Sequence, residues 1–155
     1  MSKLCSITWG GHFFMHAKRF SQYLFLWTLG GSIYYLIEII YRGFSHWSMF
    51  GLGGICFLFF YLQGKLTEWS DPIWIQILRS TIFVVSCEFI TGIIVNKCLD
   101  LEVWDYSDQP FQILGQICLP FAILFSVLCA FGIILSGNVM HWIYGEKKPS
   151  FHLYF

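Results

Sequence analysis

The hydrophobic positions of this chain fall into four long runs, and short segments rich in polar residues separate the runs. Each run has about the twenty residues that an α-helix needs to cross a bilayer core of roughly 30 Å. Gly43 stands where a helix often ends, and the pair Asp71 and Pro72 is typical of a helix start. The pattern predicts an all-α membrane protein, a single domain over residues 1–155. Its bundle of four transmembrane helices is expected at about residues 21–42, 45–64, 73–96 and 110–136.

The segments at both ends of the chain are more mixed than the four runs. The first twenty residues combine apolar side chains with Lys18 and Arg19, and residues 138–155 alternate aromatic residues with Lys147 and Lys148. Tryptophan and tyrosine are enriched where a membrane meets water, and most tryptophans here fall at predicted helix ends. We therefore expect interfacial N- and C-terminal segments on either side of the four runs.

Composition narrows the class of protein. Hydrophobic residues make up 57% of the chain and charged residues 12%, which is unlike an ordinary soluble domain. The formal net charge is zero, so the chain lacks the basic field that attracts nucleic acid. The phosphate-binding pattern G-x-x-x-x-G-K-[ST] is missing, and His46 and His141 are isolated from zinc-ligand spacings. We assign no cofactor and no catalytic residue, and a metal stays undetermined.

The distribution of basic residues predicts the orientation of the bundle. Four spans place both termini on one side of the membrane, and Lys and Arg favour the cytoplasmic side. Only Arg42 and Lys97 fall on the side opposite the termini. The side of the termini carries seven basic residues, namely Lys3, Lys18, Arg19, Lys65, Arg79, Lys147 and Lys148. We expect both termini in the cytoplasm and the acidic loop at residues 100–108 on the outside.

A polar stripe runs along the end of the first predicted span. Gly30, Tyr34, Glu38 and Arg42 recur every four residues and so share one helix face. In one interpretation Glu38 pairs with Arg42 near the headgroups, with both side chains extended toward water. In the other, the stripe faces the bundle interior, because it continues toward the middle of the membrane through tyrosine and glycine.

Glu88 lies near the middle of the third span, and Gly92 and Asn96 follow it at four-residue steps. A carboxylate at that depth costs roughly 2.5 kcal/mol or more on insertion scales, so it normally faces partners or water. The alternatives are a functional group of a polar site and a residue that only bonds one helix to another. We expect Glu38 and Gln116 to lie beside Glu88.

Glycines in the second span indicate close helix packing. Gly51, Gly53 and Gly54 fall within one short stretch, and small residues let membrane helices approach each other. The sequence predicts that Gly51 and Gly54 face a neighbouring helix.

Polar residues from three spans and one loop are predicted to converge on the outer half of the bundle. Gln112 and Gln116 lie four residues apart in the predicted fourth span and are expected to share a face. The spacing and orientation together suggest an outward-facing polar cavity for a cation, a small polar solute or a lipid headgroup. The predicted ligand-binding residues are Glu38, Arg42, Glu88, Asn96, Asp105, Asp108, Gln112 and Gln116.

Several stretches of the chain resemble one known family. Residues 103–121 read VWDYSDQPFQILGQICLPF, residues 42–58 read RGFSHWSMFGLGGICFL, and residues 142–150 read WIYGEKKPS. With the EFITG of residues 88–92, they are similar to a bacterial membrane family of ABC-transporter type IV permeases. Gln109 stands where an apolar residue is usual in that family, and Gln112 where asparagine is usual. The resemblance implies a transport subunit in the bacterial plasma membrane.

The leading hypothesis is therefore a multi-pass transport component or permease-like subunit that is not an enzyme. Four helices are few for a transport pathway, so we expect further copies of the chain or a partner membrane subunit. A separate ATPase would handle any ATP, and membrane lipid surrounds the bundle. One alternative is a non-catalytic assembly or sensor protein. Another is a lipid-modifying enzyme in which Glu88 or Glu38 acts as acid or base, although the sequence names no nucleophile.

Overall fold

The structure, a computed structural model, describes the backbone of residues 4–154 and the side chains of residues 16–154. Lys3, which contributes to the orientation argument, lies outside the described residues. Within residues 4–154 the chain is helical and has no strand, and four helices are long and apolar enough to cross a membrane. The all-α fold is thus confirmed. The helices are α1 at Leu4–Arg42, α2 at Trp47–Leu66, α3 at Ile73–Gly92, continued by a π-helical turn at Ile93–Cys98, and α4 at Leu119–Tyr144.

The largest difference from the predicted spans concerns α4, which begins at Leu119 rather than near Pro110. Pro120 lies in the first turn of α4, where its missing N–H costs nothing, and Phe111 and Leu114 in the preceding loop have positive φ angles that no helix tolerates. The helix then continues beyond residue 136 to Gly145, whose φ of 66° closes its C-terminus. Residues 99–118 therefore form a long loop, which we call loop 99–118.

α1 also differs from its predicted start near residue 21, because its backbone is helical from Leu4. No proline interrupts residues 4–21, so the interfacial segment and the apolar run join into one helix. At its other end Gly43 has a φ of 79°, and its N–H donates to the carbonyl of Ile39, as a glycine that ends a helix does.

α1 and α2 pack along most of their common length, and glycines make this contact possible. A Cβ atom at position 53 would lie 2.7 Å from the carbonyl oxygen of Gly30 and even closer to the Cβ of Tyr34. At position 54 it would lie 2.5 Å from the indole of Trp27, whereas at position 51 it would meet nothing within 4 Å. The predicted close packing holds at Gly54 and is wrong at Gly51, because Gly51 lies on another face of α2.

Residues 145–154 cover the end of the bundle where α2 leads into α3. Trp69 is buried in the turn between these helices, and its ring meets the ring of Phe151 edge to face at 5.6 Å. The N–H of Ile73 donates to the carbonyl of His152, and the His152 ring nitrogen lies 2.7 Å from the carbonyl oxygen of Ser70. We call this the tail end; residues 145–154 are fixed there by specific contacts.

One carboxylate joins three elements at the tail end. Glu146 accepts a 2.5 Å hydrogen bond from Gln22 of α1 and lies 3.4 Å from the ammonium of Lys65 of α2. Partial burial acts to raise the pKa of Glu146, but the Gln22 bond and the Lys65 charge outweigh it and lower the pKa below its ordinary value. Glu146 is therefore ionised at neutral pH and holds the start of the tail against α1 and α2.

The glycine contacts predict a clear difference between neighbouring positions. Replacing Gly53 by Ala should destabilise the protein by about 1–3 kcal/mol, because the new methyl group would push against backbone and a Cβ of α1. Gly51→Ala is the matched control, since it adds the same methyl group where space is open. Melting temperatures of the purified proteins in one detergent measure both effects. Equal melting temperatures for the two variants would contradict the close contact of α1 and α2.

Candidate functional site

The polar residues predicted to form a site lie around the end of the bundle where α1, α3 and loop 99–118 meet, which we call the loop end. Loop 99–118 does not stand away from the helices, because Val103, Trp104, Gln116 and Cys118 are buried. Its chain enters the bundle at these residues and returns to the surface between them. The loop therefore contributes side chains and backbone groups to the interior of the loop end.

Glu38 and Arg42 form an ion pair one turn apart on α1. The side chain of Glu38 is 13% exposed and that of Arg42 is 16% exposed, so the pair is mostly shielded from solvent. Arg42 also donates a 3.0 Å hydrogen bond to the carbonyl oxygen of Val103. The ion pair of the first interpretation is present, but its bond to loop 99–118 favours the second interpretation, in which the stripe faces the bundle interior.

An amide network joins the end of α3 to loop 99–118. Asn96 donates to the side-chain oxygen of Gln116 at 2.7 Å and accepts from the N–H of Val103 at 2.7 Å. The indole N–H of Trp104 donates to the carbonyl of Gln116 at 3.1 Å. A Cβ atom at Gly92 would lie 2.5 Å from the Gln116 side-chain oxygen, so glycine makes room for the network. Val103 thus links Asn96 to Arg42.

Glu88 is 2% exposed and lies on the interior face of α3. The hydroxyl of Tyr34 from α1 donates to its carboxylate, and Arg42 interacts with it electrostatically. Glu38 and Gln116, which we expected beside Glu88, bond to Arg42 and Asn96. The partner of Glu88 is therefore a tyrosine from the same stripe that carries Glu38.

Tyr106 of loop 99–118 is a member of the site that the sequence did not indicate. Burial and the nearby charge of Glu88 raise the pKa of Tyr106 above its ordinary value, while Arg42 opposes them. Its ring stacks on that of Phe121 with centroids 4.5 Å apart. The phenol is therefore neutral at physiological pH and remains a possible hydrogen-bond donor near Glu88. In the sequence Tyr106 lies between Asp105 and Asp108, and this position does not indicate that its side chain reaches the site.

Three of the predicted site residues lie outside this cluster. Asp105 is exposed, and its carboxylate accepts from the N–H and hydroxyl of Ser107, which lowers the pKa of Asp105. Asp108 is also exposed. Gln112 belongs to a turn, and its side-chain oxygen accepts from the N–H of Gly115 at 2.7 Å. The prediction that Gln112 and Gln116 share a helix face is therefore wrong, because α4 begins only at Leu119. These residues shape the loop surface.

A cavity of about 160 Å³ lies beside the Tyr34 and Glu88 pair, between α1, α2 and α4. Tyr34 forms part of its wall, and so does Val84, one turn before Glu88 on α3. Otherwise its lining is apolar. Within the described part of the chain, no group of three or more His, Cys, Asp or Glu residues is arranged to hold a metal ion. The site therefore combines a closed polar network with an adjoining apolar space.

Comparison with known proteins gives one match. A family model described as "Putative ABC-transporter type IV" matches residues 20–154. No curated protein and no solved structure matches the chain. The match includes all the residues of the loop end and leaves out residues 1–19 and residue 155. It confirms the resemblance seen in the sequence.

The amide network predicts a large effect of one substitution. Asn96→Leu keeps approximate size but leaves the Val103 N–H and the Gln116 side-chain oxygen without their partner, which should destabilise the protein by about 2 kcal/mol or more. Gln109→Leu is the control, because it removes an exposed amide from the same loop. Unfolding free energies of both variants in mixed detergent micelles measure the difference. A loss no larger for Asn96→Leu than for Gln109→Leu would show that loop 99–118 does not depend on Asn96.

Proposed function

Because the chain belongs to the family described as putative ABC-transporter type IV, we propose that it is a permease-like membrane subunit with a cation-binding site at the loop end. The site binds a cation, or the cationic group of a small polar solute, at Glu88. The observation that carries this proposal is the buried carboxylate of Glu88, with a hydrogen bond from Tyr34 and an apolar cavity beside it.

The charges of the buried groups favour a cationic ligand. Glu38 and Arg42 neutralise each other in their ion pair, so an ionised Glu88 would leave this part of the interior with one negative charge. An unbalanced charge inside a membrane protein is costly, and it is retained where a partner, an ion or water offsets the cost. A bound cation would offset it, while Tyr34 and Tyr106 supply neutral hydroxyl groups nearby.

The same proposal includes partners. The chain lacks a nucleotide-binding motif, so a separate ATPase would provide the energy for transport. Four helices that pack on one another leave little room for a polar path, so further copies of the chain or a partner membrane subunit would complete it. We place the protein in the bacterial plasma membrane, with lipid around the bundle and with its loop end outside.

A second candidate is a non-catalytic assembly or sensor protein, and one observation favours it. Arg42, Asn96, Gln116 and the backbone of Val103 bond to one another, as groups that only hold a loop in place would do. In this candidate function Glu88 would serve only to join α3 to α1 through Tyr34. For an enzymatic role of Glu88 or Glu38 the sequence names no nucleophile.

Replacing Glu88 by Gln separates these two functions. The amide keeps the size of the side chain and can still accept the Tyr34 bond, so the protein should fold with a melting temperature close to that of the wild type. A functional Glu88 predicts that the variant loses the thermal shift produced by sodium, potassium or choline, and loses transport activity with it. Glu102→Gln, an exposed carboxylate in loop 99–118, should keep both. Unchanged cation responses in the Glu88→Gln variant would instead support the assembly protein.

Orientation can be tested at two exposed serines. We expect a membrane-impermeant maleimide added to intact cells to label a cysteine at Ser107 and not one at Ser150, because seven of the nine basic residues lie on the side of the termini. Both variants should be made in a cysteine-free background, and permeabilised cells should show labelling at both positions. Labelling at Ser150 alone in intact cells would place loop 99–118 in the cytoplasm and contradict an outward-facing site.

A further inference from the structure

We infer that the solute is an amphipathic amine, which places its ammonium group at Glu88 and the start of its apolar chain in the cavity between α1 and α4. This inference rests on the proposed function, because it names the class of solute that the Glu88 site would take. It goes further by assigning a role to the apolar cavity and a route from the lipid.

The cavity opens between α1 and α4, and two contacts between these helices lie on either side of it. At the tail end the hydroxyl of Tyr144 lies 3.0 Å from that of Ser21. At the loop end the rings of Tyr41 and Phe121 meet edge to face with centroids 6.0 Å apart. Between these contacts the two helices separate, and the cavity fills the space behind the gap. We call this opening the α1–α4 cleft.

The wall of the α1–α4 cleft includes three glycines at which the helices pack closely. Gly30, Gly53 and Gly132 line the cleft together with the ring of Phe60. At the mouth Phe131 is 68% exposed, so this side of the cleft faces the lipid tails around the bundle. A molecule dissolved in the membrane could therefore enter sideways without crossing a polar barrier.

The size of the cleft limits what it can hold. Its volume of about 160 Å³ is close to that of a buried apolar cavity, about 150 Å³, which takes up one benzene molecule. The cleft therefore accommodates one ring or the first few carbon atoms of a hydrocarbon chain. The rest of a longer chain would remain in the bilayer, past Phe131.

The polar group of such a molecule would lie against Glu88. Tyr34 lines the cleft and also donates to the Glu88 carboxylate, so this side chain connects the apolar space to Glu88. Val84 lines the cleft one helical turn from Glu88, a rise of about 6 Å along the same face of α3. Apolar and charged surfaces are thus within the length of one small amphipathic molecule.

Charge decides between the possible headgroups. The Glu38 and Arg42 pair is balanced, so an ionised Glu88 is the negative group that lies behind Tyr34 at the end of the cleft. A fatty acid would bring a second carboxylate to this place and be repelled. An ammonium group would neutralise Glu88 and donate hydrogen bonds to it, as charge-assisted pairs do. The geometry therefore selects an amine over an acid of the same chain length.

The experiment measures binding to the full chain in nanodiscs of neutral lipid by titration calorimetry, with empty nanodiscs subtracted. The probes are decylamine, decanoate and methylammonium. Decylamine also dissolves in the bilayer, so the result depends on the difference between protein variants in identical discs. We expect saturable decylamine binding to the wild type, little decanoate binding, and at least a tenfold loss of decylamine affinity in Glu88→Gln.

A matched pair of substitutions tests the cleft itself. Leu135 lines the cleft and is 37% exposed, whereas Ile134 is 42% exposed and does not line it. Leu135→Trp should fill the mouth and weaken decylamine binding at least tenfold while methylammonium binding stays the same. Ile134→Trp should leave both unchanged. If Leu135→Trp does not fold, the smaller change Leu135→Phe provides the same comparison.

The outcomes separate the two proposals. If methylammonium binds in a way that depends on Glu88 but Leu135→Trp leaves decylamine binding unchanged, the amphipathic amine is wrong and the cation site stands. If decylamine binds equally to the wild type, Glu88→Gln and Leu135→Trp, it only partitions into lipid and the inference is overturned. If Glu88→Gln changes neither the binding of the two amines nor the thermal shifts produced by the inorganic cations, the proposed function fails as well.

Discussion

The hydrocarbon core of a membrane offers no hydrogen-bond partner, so a polar group inside this bundle must find one in the protein itself. That constraint explains why loop 99–118 folds into the bundle. Asn96 at the end of α3 and Arg42 at the end of α1 both carry polar groups that the two helices cannot satisfy alone. The backbone of Val103 bonds to both, with its N–H toward Asn96 and its carbonyl toward Arg42. These two bonds hold loop 99–118 between the ends of α1 and α3.

Much of the fold could be predicted because its signals are local. Runs of apolar residues of bilayer length predicted the four helices, Gly43 marked the end of α1, and the four-residue spacing of Glu38 and Arg42 predicted their ion pair. Gln112 and Gln116 show where such reasoning ends. Their spacing suits a helix, but Pro120 is better placed in the first turn of α4, and the loop before it uses backbone angles that spacing does not reveal. Which of two prolines opens a helix depends on tertiary contacts.

The site could be predicted only in part, because only some of its signals are local in the sequence. Glu88, Asn96 and Arg42 were identified because charged and amide groups are rare in membrane spans. The neighbours of Glu88 could not be identified, because Tyr34 reaches it from another helix and Tyr106 belongs to a loop whose polar composition suggests an exposed segment. Gly51 and Gly53 are equally small in the sequence, and only the rotation of α2 against α1 decides which of them touches a neighbour. Pairing across elements needs the relative positions of the helices.

The contacts at the tail end have a consequence for the order in which the protein is made. The α1 and α2 hairpin involves residues close in the chain and can pack as soon as both helices are in the membrane. The turn that contains Trp69, in contrast, is completed by Phe151 and His152, more than eighty positions later in the chain. Until the ribosome has released that stretch, the indole of Trp69 and the N–H of Ile73 lack these partners. The contact of α1 with α2 can therefore form before the contacts that complete the tail end, which need the last residues of the described chain.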